Sequence, residues 1–472
     1  MKGLMWFRED LRVSDNAALS YAAKQCHEGL IGLYIIDHAM WRAHDVAPCR
    51  IHFLLEGVRE LQESLRQLNI PLLVVELKKS NDIKEIFSKI IKKYNVDALF
   101  FNKQYEVNET KRDLLIKKFF EEKSLACYSY DDQVILSPGR IVNSEGEYYK
   151  VFTAYKNAWL KLVSSEGITI FQKPKKCIQL DIVPSEITNV DVESQNRYWV
   201  SGEKQASKKL SKFIKEKLFY YNKQRDFPLI EGTSKLSPYL AGGMISVRTC
   251  FSAALRENQG ELFSGNQGAL TWMSELIWRD FYKHLLVALP RLSKHKPYKL
   301  ETDTLYWKYD EKKFTAWTLG KTGYPIIDAA MRQLNLTGWM HNRLRMIVAM
   351  FFTKNLFFDW RLGEKYFMQH LIDGDLSANN GGWQWCASTG TDAAPYFRVF
   401  NPIAQSEKFD PDGEFIRRYC PELIGFDKKT IHDPHGRDPR RARAVSYPLP
   451  IVDLKKSRAE AVAAFSGLKK IY

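Results

Sequence analysis

Two helical faces and one glycine-rich stretch of this 472-residue chain carry side chains whose types and spacing could do chemistry. In a helix opening at Trp339, residues Asn342, Arg345, Met346 and Ala349 fall at i, i+3, i+4 and i+7 and share one face. That face mixes an amide, a cation and a soft thioether, so it reads either as the lining of a cavity or as a solvated edge. A second face of the same kind holds Trp272, Glu275, Trp278 and Arg279. The third candidate is Asn379-Asn380-Gly381-Gly382-Trp383-Gln384-Trp385, where two tryptophans alternate and no helical stripe is expected. Its glycines would let the backbone come close to a flat ligand.

Two look-alike motifs drop out. Gly320-Lys321-Thr322 resembles the end of a phosphate-binding loop, but the position five before Gly320 is Thr315, where that loop needs glycine. Asp373-Gly374-Asp375 opens like a calcium loop, yet its sixth position is Ala378 and its twelfth is Gln384. The two aspartates stay available to accept hydrogen bonds from ribose hydroxyls or ring nitrogens, to pair with arginine, or to cap a helix.

The elements that must position these residues divide in order along the chain. Gly3 to Phe7, Leu30 to Asp37, Pro71 to Leu77 and Ala98 to Asn102 are short apolar runs separated by amphipathic stretches, which predicts a Rossmann-like parallel sheet with helices on both faces. The helix expected over Pro48 to Asn69 sends Phe53, Leu54, Val58, Leu61, Leu65 and Leu68 to the core. No Gly-x-Gly-x-x-Gly follows any of these strands, so a dinucleotide held in the usual Rossmann manner is not expected. Residues 132–200 read as an irregular connector between an α/β domain at 1–131 and an all-helical domain at 201–472. Within the last, helices are expected at Leu270 to Leu289, Pro325 to Leu336, Met340 to Phe358 and Glu364 to Leu371.

Composition narrows the classes. Lys plus Arg number 70 against 55 Asp plus Glu, a net charge of +15 that favours a polyanionic partner. The start of the chain has no signal-peptide pattern and no apolar run is long enough for a membrane span, which implies a cytoplasmic protein. The seven cysteines are scattered, with no C-x-x-C pair, so neither disulfides nor a zinc or other metal site is expected.

Placed in order, several segments resemble the photolyase and cryptochrome family, specifically the bacterial class I cyclobutane-dimer photolyases, over nearly the whole chain. They are Trp6 to Arg12 with Asp15-Asn16, Glu231 to Pro238, Glu275 to Arg279, Lys321 to Pro325, Gly338 through Met346, and Asp373 through Pro402. The resemblance implies an enzyme, a carbon-carbon lyase that repairs cyclobutane pyrimidine dimers with an electron from excited reduced FAD. The alternative it leaves is a cryptochrome-like blue-light receptor. It also implies ultraviolet-damaged DNA as partner, no obligate protein partner, and a monomer.

Carried over by position, the resemblance assigns FAD to Tyr221, Thr233, Ser234, Lys235, Leu236, Ser237, Trp272, Glu275, Arg279, Asn342, Arg345, Asp373, Asp375 and Asn379. Asp373 would pair with Arg345, Asp375 would face the flavin ring, and Asn379 would lie near flavin N5. Glu275, Asn342, Met346 and Asn379 would serve catalysis, while Trp307, Trp360 and Trp383 would form an electron relay from the surface. Damaged DNA, flipped out of its duplex, would meet Arg225, Glu275, Trp278, Asn342, Arg343, Met346 and Trp385. Asn342 and Met346 stand where enzymes for the 6-4 photoproduct carry histidines, which favours cyclobutane dimers. His44, Asn108, Glu109 and Lys294 match a folate antenna site, implying methenyltetrahydrofolate. Ser293 departs there from the cysteine of some relatives, and a deazaflavin is the alternative.

Overall fold

The computed structural model describes residues 1–77, 83–187 and 198–468. The four expected strands form as β1 (Gly3–Phe7), β2 (Leu30–Ile36), β3 (Leu72–Glu76) and β4 (Ala98–Asn102). A fifth, β5 (Ala126–Tyr130), completes a parallel sheet of order β3-β2-β1-β4-β5. β1 and β4 are buried along their whole length, which is why they read as continuous apolar runs. β5 escaped the sequence reading because it is an edge strand, half-buried at most, with polar Ser129 within it. The helix Pro48–Arg66 begins with proline in its first turn and buries Phe53, Leu54, Val58, Leu61 and Leu65 as its periodicity requires.

The chain forms two compact units whose limits differ from the boundaries expected at residues 131 and 200. Unit 1 comprises Met1–Phe219, Ser234–Ser293 and Ile372–Asp375; unit 2 comprises Tyr220–Thr233, Lys294–Leu371 and Leu376–Tyr472. Buried polar contacts explain why early helices stay with the sheet. Arg248, on the helix Val247–Glu257, donates to Asp132 Oδ1 at 2.7 Å and to the Asp15 carbonyl at 2.8 Å, and Arg12 pairs with the same Asp132. The connector is also less irregular than expected. It contains the helix Phe152–Glu166, which buries Phe152, Tyr155, Trp159 and Val163, a stripe at helical spacing that the prolines around it obscured. Residues 188–197 of that connector lie outside the described residues.

Four longer helices carry many of the candidate site residues, α1 (Gln267–Ala288) in unit 1 and α2 (Asn342–Met350), α3 (Trp360–His370) and α4 (Leu376–Ala387) in unit 2, where α5 (Leu454–Ser466) packs its Phe465 against Trp307. The helix expected over Met340 to Phe358 is three pieces. α2 starts at Asn342 behind His341 and gives way to one π-helical turn, Phe351–Asn355, followed by Phe357 at φ 56. The stretch Asn379 to Trp385, expected to lack a helical stripe, is part of α4, with Asn380, Trp383, Gln384 and Ala387 buried at helical spacing. Its stripe is half polar, so hydrophobic periodicity could not reveal it. Gly363 on α3 is what lets α4 come close, since a Cβ there would stand 2.1 Å from the Trp383 ring. Among the described residues no helix is long and apolar enough to cross a membrane.

Burial alone would raise the Asp132 carboxyl, but Arg12 and Arg248 outweigh it and hold the group down to about 2. Such a carboxylate stabilises the fold above its unfolded value near 4, and that contribution fades as pH falls toward the folded value. Asp132→Ala leaves the buried Arg12 guanidinium without a carboxylate and Arg248 with Asp15 alone, and should cost about 3 to 5 kcal/mol near neutral pH. Urea denaturation should show the deficit against the parent shrinking as pH is lowered from about 5 toward 3.

Candidate functional site

In unit 1 the helix α1 carries Trp272, Glu275, Trp278 and Arg279, as its spacing required. Trp272 is buried against Phe213, with ring centroids 4.8 Å apart. Trp278 lies flat on Phe152, 3.6 Å away with an interplanar angle of 9°, so one face of its ring is already supported. The Arg279 guanidinium donates to the Gln133 carbonyl. One turn on, Lys283 has a side chain only 1% exposed, and its ammonium sits 2.8 Å from Asp375 and 3.2 Å from Glu106. Burial pulls the Lys283 pKa down, but Asp375 and Glu106 more than reverse this and keep the group cationic. Asp373 is buried beside Asp375 in the chain.

Also in unit 1, Ser234 to Ser237 lead into the short helix Ser237–Ala241, with Lys235 at φ 51 and the Leu236 N–H donating to Ser234 Oγ at 3.4 Å. Leu236 at the helix start offers no capping side chain. His44, Asn108 and Glu109 converge: His44 Nε2 stands 3.1 Å from Asn108 Nδ2, and His44 Nδ1 stands 3.3 Å from Glu109 Oε1. Glu109 Oε2 is buried and has no hydrogen-bond partner among the described residues. Burial first, then the nearby Glu106, raises the Glu109 carboxyl, and His44 and Arg112 oppose them. Lys294, the fourth residue assigned to this group, ends a 3₁₀ turn and belongs to unit 2.

In unit 2, α2 begins with His341 as N-cap, its Nδ1 accepting from the Arg343 N–H at 3.2 Å. Asn342 is exposed and Met346, one turn later, is half-buried. Arg343 lies 4.5 Å above the Phe409 ring and donates to Asp226 at 2.8 Å, and Arg225 stands 3.9 Å from the same carboxylate. The two expected phosphate contacts thus share a counterion that sequence reasoning missed. Arg345 donates to the Met340 carbonyl at 2.8 Å. Tyr221 is buried under the Arg225 guanidinium, and Thr233 is half-buried.

On α4, Asn379 Nδ2 donates to the main-chain carbonyl of Glu364 at 2.9 Å. An amide held by its nitrogen presents its oxygen elsewhere, and Asn379 Oδ1 has no hydrogen-bond partner among the described residues. The Glu364 carboxylate is itself fully used, accepting from Asn380 Nδ2 at 2.9 Å and lying 2.9 Å from His295 Nδ1. Trp383 and Trp360 belong to the hydrophobic core of unit 2, and Trp307, half-buried, packs against its edge. This is the burial gradient a relay toward the surface would need. Trp385 is half-buried on α4. Sequence reasoning passed over Trp317, which is fully buried and 6.3 Å from Trp383, because nothing in its local pattern marks it.

The chain thus pairs a unit built on a five-stranded parallel sheet with a helical unit rich in aromatic side chains, the architecture that the comparisons with known proteins identify. Family models match at both ends: "DNA photolyase" over residues 3–176 and "FAD binding domain of DNA photolyase" over residues 272–467. The chain is 44% identical to the deoxyribodipyrimidine photo-lyase of Escherichia coli, with 99% of each chain covered. It superposes on a bacterial class III photolyase from Agrobacterium tumefaciens with a TM-score of 0.89 and 34% identity, covering 100% of this chain and 98% of that one. An archaeal photolyase from Sulfolobus tokodaii, solved with two FAD molecules, gives 0.83 and 31%, covering 99% and 100%. The chain belongs to the DNA photolyase family. It carries the family's FAD-binding domain, and photorepair of DNA is the activity its site serves.

The residues present fit FAD. The open Asn379 Oδ1 suits a ring N–H, the uncapped helix start after Ser234 to Leu236 suits a phosphate, and the Lys283–Asp375 pair supplies a fixed carboxylate acceptor. Lys283→Met would leave Glu106 and Asp375 facing each other without their cation. We expect that variant to purify with less than about a tenth of the parent's flavin, measured from the flavin absorption band per mole of protein.

Proposed function

We infer that this chain uses light to split cyclobutane pyrimidine dimers in DNA, and that the fixed amide of Asn379 is the observation that carries the reading. With one amide N–H bound to the Glu364 carbonyl, Asn379 is held in one orientation and its Oδ1 is left to accept. An acceptor favours a flavin that bears a proton at N5, which the reduced ring has and the oxidised ring lacks. FAD held here in its reduced form would supply light-driven electron transfer to the dimer, the chemistry that opening the cyclobutane ring needs.

The remaining roles fall to the chain's own groups. Thr233, Ser234, Lys235 and Ser237 would hold phosphates and ribose with Tyr221 and Leu236 beside them, while Trp272, Arg279, Arg345 and Asp373 line the cofactor. Trp278, stiffened by Phe152, and Trp385 would receive the flipped dimer, and base-aromatic contacts of about 1 to 3 kcal/mol each offset its unstacking. Glu275 and Asn342 would hydrogen-bond the pyrimidine edges, with Met346 packed against them. Asp226 keeps Arg225 and Arg343 together for neighbouring phosphates. Trp383, Trp360 and Trp307 would carry electrons inward when the flavin needs reduction. For the antenna we favour methenyltetrahydrofolate over a deazaflavin, since the partnerless Glu109 Oε2 suits the N–H groups of a pterin, with His44 and Asn108 beside it and Lys294 assigned to the same chromophore. A monomer working in the cytoplasm without an obligate protein partner completes the proposal.

The test is repair in vitro. Reduced protein under near-ultraviolet or blue light should remove dimers from irradiated DNA; tight flavin binding with no loss of dimers would instead favour a sensory role. Trp278→Ala should weaken binding to damaged DNA by about 5- to 100-fold and leave binding to undamaged DNA nearly unchanged in a filter or gel-shift titration. Trp383→Phe should abolish light-driven reduction of the oxidised flavin yet repair normally once chemically reduced.

A further inference from the structure

One buried titratable group in unit 2 has no part in the proposed repair chemistry. Lys354 sits on the π-helical turn Phe351–Asn355, and π turns inside helices often mark functional positions. Its side chain is 0% exposed. The ammonium donates to the Ala387 carbonyl at the end of α4, 3.2 Å away, and lies 3.6 Å from the centroid of Phe465 on α5. Among the described residues no carboxylate pairs with it. Phe465 is 6.2 Å from Trp307, and Phe357, 5.0 Å from Trp307, closes the triangle at 6.3 Å from Phe465. A single aromatic ring therefore separates the ammonium from the surface end of the relay.

Burial lowers the Lys354 pKa to about 7. Two other titratable groups act on it. Cys386 on α4 favours the charged form only weakly, its own thiol being pushed up to about 12 by burial, and Lys299 opposes the charge. Lys299 itself lies 3.4 Å from the Ser388 carbonyl and is lowered by burial, with Glu301 working against that. On the outer side, Lys308 and Glu460 form an exposed pair at 2.7 Å that leaves little net charge. A methionine would fill the same space without the cost of a lone buried cation, so the ammonium calls for a use.

We propose that Lys354 is a positioning residue for the tryptophan relay, whose buried ammonium opposes the positive charge that Trp307 takes on when it gives up an electron. The proposal rests on reading Trp383, Trp360 and Trp307 as a relay. Each transfer moves one electron inward and leaves one positive charge on the donor tryptophan; a thiol reductant in solution returns the electron at Trp307. Two like charges within about 10 Å, at an effective dielectric constant of about 20, shift the equilibrium for holding charge on Trp307 by about tenfold. When Lys354 loses its proton the opposition ends and the relay runs faster.

The experiment uses flavin-loaded full-length protein with oxidised FAD, steady blue light and excess dithiothreitol, following the loss of the oxidised-flavin band. The ratio of the Lys354→Met rate to the parent rate is read at each pH, so that the reductant's own pH dependence cancels. It should be about ten near pH 6 and approach one near pH 8.5. Lys354→Arg should match the parent at low pH and fall behind it at high pH, which gives the same reading if the methionine variant does not fold. A Lys354→Met ratio that stays constant across this range, or loss of dimer repair by the chemically reduced variant, would overturn the proposal. Trp383→Phe separates the two readings: normal photoreduction in that variant sinks the relay itself, whereas blocked photoreduction together with a pH-independent Lys354 ratio sinks only the role of Lys354.

Discussion

One ammonium group closed off from solvent, that of Lys283, orders the charged interior of unit 1. Its two carboxylate partners come from distant parts of the chain, Glu106 just past β4 and Asp375 just ahead of α4. The pairs matter because a charge left unpaired in such surroundings costs several kcal/mol. Glu106 also raises the Glu109 carboxyl, in the candidate antenna group, and adds to the rise of Glu9, whose burial is offset by Arg50. Within unit 1, Glu109 and Asp375 are thus linked through Glu106 and Lys283, and a change at Lys283 would be felt at both.

Unit 2 positions its key amide differently, with neutral hydrogen bonds in place of charge. The Glu364 carbonyl holds Asn379, while the Glu364 carboxylate, Asn380 and Gln384 form a satisfied chain that ends on the Tyr298 N–H. Every member has its partner, so the network specifies one arrangement. It depends on α3 and α4 lying close, and that depends on Gly363 having no side chain under Trp383. A backbone vacancy, an orienting amide and a relay tryptophan are one packing solution.

How much of this was legible in the sequence depends on the physics of each signal. β1 to β4 and the helix Pro48–Arg66 were readable because complete burial leaves unbroken apolar runs and stripes. β5 was missed because an edge strand needs no such run, and α4 because its inward face is built from Asn380, Gln384 and Trp383. The units part elsewhere than at residues 131 and 200 since the contacts that decide it, such as Arg248 with Asp15 and Asp132, join residues more than a hundred positions apart. The site residues were reached through family motifs, and they fall in both units. Lys283, Asp226, Phe152 and Trp317, which support those residues, carry no motif and become visible only in three dimensions.

The chemistry explains the division of labour between the units. Electron transfer to a dimer and back requires no proton donor poised near neutrality, so the site has no use for a histidine or carboxylate tuned to that range at the reacting ring. What it requires is a cofactor kept reduced and a path along which positive charge can leave. In the proposed reading a neutral amide at Asn379 would meet the first need without adding charge to the ring's surroundings, and tryptophans graded from buried to half-buried would meet the second. Fixed charges are accordingly compensated where they are buried, as at Lys283 and Asp132. Among the described residues Lys354 is a buried cation without a carboxylate partner, and it stands one ring away from Trp307, where in our proposal its charge acts on the outer end of the relay.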